Sequence, residues 1–227
     1  MARLHPFRGF RYNPTEVGDL RRVVTQPYDK MTPSLQDDYY RRSPYNAVRV
    51  TLSIEKREDP DTDYALAGST FAQWLRREIL IRDPEPAFYV YHQEFVHEGA
   101  TILRKGFIGL LDLEDAESAA VPHESTLSAP KQDRLRLMRS LEANDDLIYM
   151  LYDDREKIVD GVMDSGISGK RPDIEVEDDY GTTHRLWVLC DPEGRNAIRE
   201  AMAPHRLFIA DGHHRFETAV NFMKECR

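Results

Sequence analysis

The chain has 227 residues, of which 41% are hydrophobic and 31% are charged, and its formal net charge at pH 7 is −9. This negative charge argues against a broad electrostatic interaction with nucleic acid or with an anionic membrane surface, and no apolar run approaches the roughly 20 residues that a membrane-spanning helix needs. Two cysteines without a C-x-x-C spacing, and an N-terminus without the apolar core of a signal peptide, lead us to expect a cytoplasmic protein.

The first half of the chain mixes strand and helix patterns. Residues 45–54 carry apolar side chains at alternate positions, which predicts a strand. A helix is predicted after Asp61, because the apolar residues that follow recur at helical spacing and form one stripe. Two β-rich runs, 87–96 and 101–113, are joined by a short segment with a glycine and predict a hairpin.

The second half continues this irregular alternation. Its predicted elements are a helix at 131–143, a strand at 147–152, a helix at 155–164 ended by Gly166, a hairpin from 174–176 and 184–190, a helix opened by Asp191-Pro192, and a strand from 207. The irregular order predicts an α+β fold, a mixed sheet with flanking helices, rather than a regular doubly wound sheet. We expect one domain over residues 1–227 and a piece of a longer protein, since the chain ends about one helix length after its last motif.

The most informative segment is residues 207–219. Its apolar start predicts a buried strand ending at Asp211-Gly212, and apolar residues at helical spacing predict a helix from about Arg215. The first amides of a helix lack internal partners and its dipole is positive at that end, so the junction is a predicted anion site. Gly212 allows backbone to approach a ligand closely, and Arg215 can bind a phosphate with two N–H groups. The alternative is a common Asp-Gly turn with a purely structural role.

Three further side chains of this segment carry candidate chemistry. Asp211 is a candidate to hold magnesium or to accept a proton, while His213 and His214 can donate, accept or titrate near neutral pH. Magnesium delivered with a nucleotide needs only one or two carboxylates. A zinc site is not expected, because the histidines are scattered without a helical i, i+4 pair, and no P-loop or Rossmann glycine motif occurs.

A second cluster of polar residues lies between the predicted hairpin and the helix at 131–143. Glu124 is a candidate base or metal ligand, and His123 beside it could donate to a phosphate or change the pKa of that carboxylate. Lys131 and Arg134 lie one turn apart at a helix start, so both could reach the same anion or substrate. Thr126 is grouped with them as a substrate or supporting contact. The alternative is a solvated loop that leads into a surface helix.

A third group is formed by Pro27-Tyr28-Asp29 together with Asn46 and Arg49. On the residues alone, Pro-Tyr-Asp is compatible with a simple turn, Asn46 with turn chemistry at a strand start, and Arg49 with an exposed strand position. As a functional alternative, Asn46 and Arg49 line the same cleft as the segment at 207–219.

Several short motifs occur in order over nearly the whole chain. They are Arg8-Gly9-Phe10-Arg11-Tyr12, Pro27-Tyr28-Asp29, Pro44-Tyr45-Asn46, Pro122-His123-Glu124-Ser125-Thr126, Asp133-Arg134 and the run from Ile209 to Ala219. Through these motifs the chain resembles a bacterial family of domains of unknown function, the "ten-fifteen" family, whose members generally run beyond this length. Lys30 and Phe216 depart from the residues usual at their positions, and neither departure removes a proposed ligand.

The family resemblance implies no activity, but a second similarity does. The segment Asp211-Gly212-His213-His214-Arg215 is similar to the D-G-x-H-R loop of free-serine kinases, which belong with the sulfiredoxin and ParB-type nucleotide-binding fold. This similarity implies that Gly212, His213, His214 and Arg215 bind nucleotide phosphates. It also implies that Asp211 is a catalytic carboxylate, which polarises an acceptor hydroxyl or places magnesium.

We therefore expect a protein that binds a nucleotide, ATP or ADP with magnesium, and transfers phosphate to a small hydroxyl-bearing metabolite such as a free amino acid. The predicted catalytic residues are Asp211, Glu124 and His214. The rival hypothesis is a nucleotide-gated binding or regulatory module of the ParB type, which acts through a partner. The net charge disfavours nucleic acid as that partner, and the sequence leaves the acceptor and the oligomeric state open.

Overall fold

The computed structural model describes residues 2–114, 120–121 and 128–227, and its fold is α+β, as predicted. The strands are β1 (Leu4–His5), β2 (Phe10–Tyr12), β3 (Leu80–Arg82), β4 (Phe88–His97), β5 (Ala100–Ile108), β6 (Leu110–Leu111), β7 (Ala120–Val121), β8 (Tyr149–Leu151), β9 (Ile174–Glu177), β10 (Thr183–Leu189) and β11 (Leu207–Asp211). The helices are α1 (Pro14–Val17), α2 (Pro33–Arg42), α3 (Val48–Thr51), α4 (Glu55–Glu58), α5 (Ala65–Arg76), α6 (Ser128–Leu141), α7 (Ile158–Ile167), α8 (Pro192–Met202) and α9 (His213–Glu225). Within the described ranges, no helix has the length and apolar character needed to cross a bilayer.

The chain folds as two compact units, and each unit is assembled from three separate stretches of sequence. The first comprises Met1–Phe10, Arg82–Val121 and Leu151–Phe208, and the second comprises Arg11–Ile81, Pro122–Met150 and Ile209–Arg227. The expectation of one domain over residues 1–227 stays a prediction.

The first unit is built on a four-stranded antiparallel sheet in the order β5-β4-β10-β9. β4 and β5 are joined by Glu98-Gly99, and both residues have positive φ, as a type I′ hairpin turn requires. β9 and β10 are joined around Asp178, whose carboxylate accepts hydrogen bonds from the N–H groups of Tyr180 and Thr182. Both hairpins predicted from the sequence are confirmed.

A helix of the first unit differs from its prediction. The helix predicted at 155–164 is α7, which begins three residues later and contains Gly166 instead of ending before it. The start is fixed by Asp154, whose carboxylate accepts the N–H of Ile158 at 2.8 Å and so satisfies a first-turn amide. The glycine serves packing: a Cβ atom at position 166 would lie 3.0 Å from Cδ1 of Leu189 in β10.

The core of the second unit lies between α5 and α6, and α6 also packs against α9. α5 is the helix predicted after Asp61, and α6 is the helix predicted at 131–143, so both predictions are confirmed. The buried core residues are Val50, Tyr64, Ala67, Trp74, Ile79, Leu137 and Leu141.

The strand predicted at 45–54 is wrong, since this segment contains the short helix α3. The side chain of Asn46 explains the difference. Its Oδ1 accepts the N–H of Val48 at 3.0 Å and its Nδ2 donates to the carbonyls of Arg22 and Val24, so the chain turns at this point. Alternating apolar residues over so short a distance also fit one buried helical turn, and both Val48 and Val50 are buried.

The strand predicted from residue 207 is β11, the middle strand of a three-stranded sheet in the order β7-β11-β8. Leu207 and Phe208 pair in parallel with Ala120 and Val121 of β7. The predicted helix after this strand is confirmed as α9, but it begins at His213 rather than near residue 215.

Candidate functional site

The junction between β11 and α9 has the geometry predicted for the segment 207–219. Gly212 is the N-cap of α9 with φ 92° and ψ 31°, a left-handed conformation that favours glycine. Gly212 has no side chain with which to cap the helix, and its carbonyl accepts the N–H of Phe216 at 2.9 Å. The backbone N–H groups of a first helical turn and the positive end of the helix dipole point toward such a junction.

Arg215 lies back across this junction, and its guanidinium binds two carboxylates. Nη1 donates to Oδ1 of Asp146 at 3.0 Å and to the carbonyl of Leu147, while Nη2 donates to Oδ2 of Asp211. The Arg215 side chain is 13% exposed, whereas that of Asp211 is 64% exposed. The predicted phosphate-binding arginine is therefore at the helix start, and protein carboxylates occupy its donor groups.

The second predicted cation, Arg134 of α6, is buried in a denser network. Nη2 donates to Oδ2 of Asp133 at 2.8 Å and to the hydroxyl of Tyr64 at 3.1 Å, and Nη1 donates to the carbonyl of Thr51 at 2.9 Å. The guanidinium also stacks on the ring of Tyr28, 4.2 Å from its centroid. These contacts hold Arg134 rigidly within the second unit.

Tyr28 packs against Arg134, and the charges of both arginines act on its hydroxyl, which was not predicted. Burial raises the pKa of its hydroxyl, while the charges of Arg134 and Arg215 lower it and those of Asp29 and Asp146 raise it again. The motif Pro27-Tyr28-Asp29, a weak feature of the sequence by itself, therefore lies within electrostatic reach of both arginines.

Asp145 and Asp146, in the turn between α6 and β8, form a charged cluster with Arg134 and Arg215. Neither carboxylate was predicted as a site residue. Burial raises the pKa of Asp145 to about 6, although the charges of Arg134 and Arg215 oppose this shift. Burial also raises the pKa of Asp146, against the charge of Arg215. Within the described parts of the chain, Oδ2 of Asp145 is buried and no donor forms a hydrogen bond with it. The only sequence indication was two adjacent acidic residues after a helix, a pattern typical of solvated turns.

Lys131, His213 and His214 are the remaining predicted residues of α6 and α9. Nζ of Lys131 lies 2.7 Å from Oε2 of Glu217, and this ion pair joins the two helices. The side chain of His213 is buried, and the carbonyl of His214 accepts the hydroxyl of Thr218 at 2.7 Å. Lys131 is thus placed near the first turns of α9, with a protein carboxylate as its partner.

Asn46 and Arg49 are placed by a different set of contacts. Asn46 is fully buried, and its polar atoms bind the backbone around residues 22–24 and 48. Arg49 donates to the carbonyl of Tyr40 at 2.9 Å and stacks on that ring. Asn46 therefore joins the segment at 22–24 to the start of α3, and Arg49 joins α3 to α2. None of the hydrogen bonds described for these two residues joins them to Arg134 or Arg215.

Three of the predicted site residues, His123, Glu124 and Thr126, lie outside the described residues. Across the parts of the chain that the structure describes, no group of three or more histidine, cysteine or acidic side chains is arranged to hold a metal ion. Asp211, the predicted magnesium ligand, is an exposed carboxylate at the end of β11.

Comparison with protein families gave one finding that covers almost the entire chain. The model of the family described as "Protein of unknown function (DUF1015)" matches residues 4–227. The comparisons with curated proteins and with solved structures gave no match. A match of this extent confirms the family resemblance seen in the sequence motifs, and the chain belongs to this family.

Proposed function

We propose that the second unit binds the phosphates of a nucleotide at the N-terminus of α9 and transfers phosphate to a small hydroxyl-bearing metabolite, such as a free amino acid. The observation that supports this proposal is the helix start itself, where a glycine in the left-handed conformation is the N-cap and the guanidinium of Arg215 lies over it. Helix starts bind phosphate through the N–H groups of their first turn and through the helix dipole. We place this activity in the cytoplasm.

The similarity of this loop to the D-G-x-H-R loop of free-serine kinases agrees with the same assignment. By this similarity, the phosphate-binding residues are Gly212, His213, His214 and Arg215. In this proposal His214 also takes part in the transfer, and Glu124 supplies a second carboxylate. The ParB and sulfiredoxin type of fold remains part of the proposal.

The contacts of Arg215 suggest how an anion would bind. A phosphate carries more charge than a carboxylate and accepts two parallel N–H bonds from a guanidinium. We expect it to displace Asp211 from Arg215, while Asp146 keeps the guanidinium in place. This exchange leaves Asp211, already largely exposed, without its cation.

Asp211 then fits the role of a magnesium ligand, since a magnesium ion bound with a nucleotide needs only one or two protein carboxylates. When bound, the ion would neutralise charge on the phosphates. Lys131 adds positive charge beside α9 through its contact with Glu217, and Arg134 adds charge at Tyr28. Catalysis by these residues is mainly positioning and charge neutralisation.

Phosphate transfer is tested by measuring ATP consumption by the purified chain with magnesium, with and without a panel of hydroxyl compounds such as L-serine, L-threonine and glycerol. The proposal predicts consumption that depends on one acceptor. Asp211→Asn abolishes this consumption but spares nucleotide binding, while Asp61→Asn, at an exposed carboxylate of the same unit, changes neither. Consumption without any dependence on an acceptor contradicts the proposal.

The rival function, a nucleotide-gated regulatory module, is favoured by one observation. Arg215 ties the start of α9 to the turn at 146–147, so a ligand that takes over its donor groups would loosen that turn. A module of this kind binds nucleotide without turnover. Its signature is faster amide hydrogen exchange at residues 144–149 on nucleotide binding, with no consumption of ATP.

A further inference from the structure

The carboxylate of Asp145 lies in the turn between α6 and β8, within the cluster that contains Arg134 and Arg215. Its Oδ2 atom is buried and has no hydrogen-bond partner among the residues that the structure describes. Buried polar atoms in native proteins are nearly always paired, so an unpaired carboxylate oxygen requires an explanation. A donor group on a bound ligand supplies the missing partner.

Nearby carboxylates of the second unit are not comparable with Asp145. Asp146 accepts a hydrogen bond from Arg215, and Asp133 binds both Lys56, at 2.6 Å, and Arg134. Their oxygens therefore already accept hydrogen bonds from cations, which keeps the pKa of Asp133 low and opposes the rise that burial causes in the pKa of Asp146. The charges of Arg134, Arg215 and Asp146 act on Asp145, but no described residue donates a hydrogen bond to its Oδ2.

We infer that Asp145 is the catalytic base that accepts the proton of the hydroxyl group to which phosphate is transferred. This inference rests on the proposed function and moves the role of proton acceptor from Asp211 to Asp145. The pKa of about 6 agrees with it, because a base works best when its pKa lies near the working pH. Asp211 is bound to Arg215 and largely exposed, which suits a metal ligand better than a base.

The acceptor hydroxyl gives its proton to Oδ2 of Asp145, and its oxygen forms a bond to the terminal phosphorus of the nucleotide. The bond from that phosphorus to the bridging oxygen breaks, and the nucleoside diphosphate leaves with the electron pair. Asp145 then releases the proton to solvent.

The test uses the purified chain with ATP, magnesium and each member of the acceptor panel. Asp145→Asn keeps the shape of the side chain and removes the base, so kcat falls by about 10²–10⁴-fold. The calorimetric Kd for ATP stays within about threefold, and Asp61→Asn, with a side chain 92% exposed, leaves kcat unchanged. The wild-type kcat rises with pH through about 6, and this rise is absent from the residual rate of the variant.

The outcomes distinguish a failure of the role given to Asp145 from a failure of the proposed phosphate transfer. If the wild type transfers phosphate and Asp145→Asn transfers it at the same rate, the role of Asp145 is wrong and the proposed function stands. If the wild type binds no nucleotide, or consumes no ATP with any acceptor of the panel, both proposals are overturned.

A measurement on the wild type keeps the inference testable should the variant fail to fold. Carbon NMR of chains labelled at the aspartate carboxyl groups gives the pKa of Asp145 directly, with and without a non-hydrolysable ATP analogue. We expect a pKa near 6 that rises when the anionic analogue binds, because added negative charge favours the protonated carboxyl. A pKa below 4 in both states would overturn the assignment.

Discussion

Nη1 of Arg215 lies 3.0 Å from Oδ1 of Asp146, a residue 69 positions earlier in the chain. This contact, with the bond from the same guanidinium to Asp211, joins the start of α9 to the turn after α6. The guanidinium reaches two carboxylates because its N–H groups point in two directions. The local geometry of the candidate phosphate site therefore depends on one side chain.

Arg215→Lys tests this dependence. A lysine ammonium cannot reproduce the planar two-sided contact, and Asp146 then loses its partner while remaining largely buried. We expect the free energy of unfolding in urea to fall by about 2 kcal/mol. The matched control is Arg139→Lys, which changes an exposed pair with Glu225 between α6 and α9. Equal urea concentrations at the unfolding midpoints of the two variants would show that the Arg215 contacts do not stabilise the fold.

A glycine substitution tests the backbone of the junction. Gly212→Ala places a Cβ atom at a residue with φ 92° and within about 3.1 Å of the guanidinium of Arg215. We expect a loss of about 1–2 kcal/mol in unfolding free energy. Gly161→Ala in α7, where a Cβ atom meets no neighbour within 4 Å, stabilises the protein by about 0.5–1 kcal/mol instead. Thermal unfolding of both variants measures the contrast, and a gain at residue 212 contradicts the described junction.

The raised pKa of Asp145 predicts a pH-dependent stability. Between about pH 4 and pH 6 the folded chain holds a proton that the unfolded chain has released, so stability falls as pH rises through this window. A shift from 3.8 to about 6 corresponds to about 3 kcal/mol. Asp145→Asn removes this loss, so the variant is more stable than the wild type at pH 8 by up to about that amount.

The same variant and the wild type converge below pH 4, where the carboxyl group is protonated in both the folded and the unfolded chain. Urea denaturation at pH 3.5 and pH 8 gives the comparison. A variant that is less stable than the wild type at pH 8 would show that Asp145 is ionised and well paired in the native protein.

The ion pair between Lys131 and Glu217 separates a structural role from a ligand-binding role for the lysine. The pair is partly exposed, so it contributes about 0.5–1 kcal/mol. The single variant Lys131→Glu loses this stability. The double variant Lys131→Glu with Glu217→Lys recovers it if the pair serves only to join α6 and α9. Nucleotide affinity follows the position of the positive charge, and we expect the double variant to bind ATP more weakly than the wild type. Full recovery of both properties removes Lys131 from the proposed site.

Elements set by local chemistry could be predicted from the sequence. Asp191 accepts the N–H of Gly194 at 2.6 Å and Pro192 occupies the first turn of α8, so this helix begins where its residues predicted. The turn Glu98-Gly99 set the hairpin in the same way. The segment 45–54 was predicted wrongly because the partners of Asn46 lie more than 20 residues away.

In the candidate site, too, features set by neighbouring residues could be predicted and features set by distant partners could not. The order of strand, glycine and helix at 207–219 follows from local sequence, and it was predicted to within two residues. The partners of Arg215 and Arg134 were not predicted, since Asp146 and Thr51 contact these arginines only through the packing of the second unit. Burial of Asp145 also depends on that packing, so its pKa could not be inferred from two adjacent acidic residues.

The most direct test of the account is a calorimetric titration of the purified chain with ATP, ADP and CTP in the presence of magnesium, repeated on Arg215→Ala and Arg139→Ala. Phosphate binding at the start of α9 predicts micromolar affinity for at least one nucleotide, a loss of at least tenfold in Arg215→Ala, and no change in Arg139→Ala. Absence of binding by the folded wild type, or equal affinity in wild type and Arg215→Ala, would contradict the central claim.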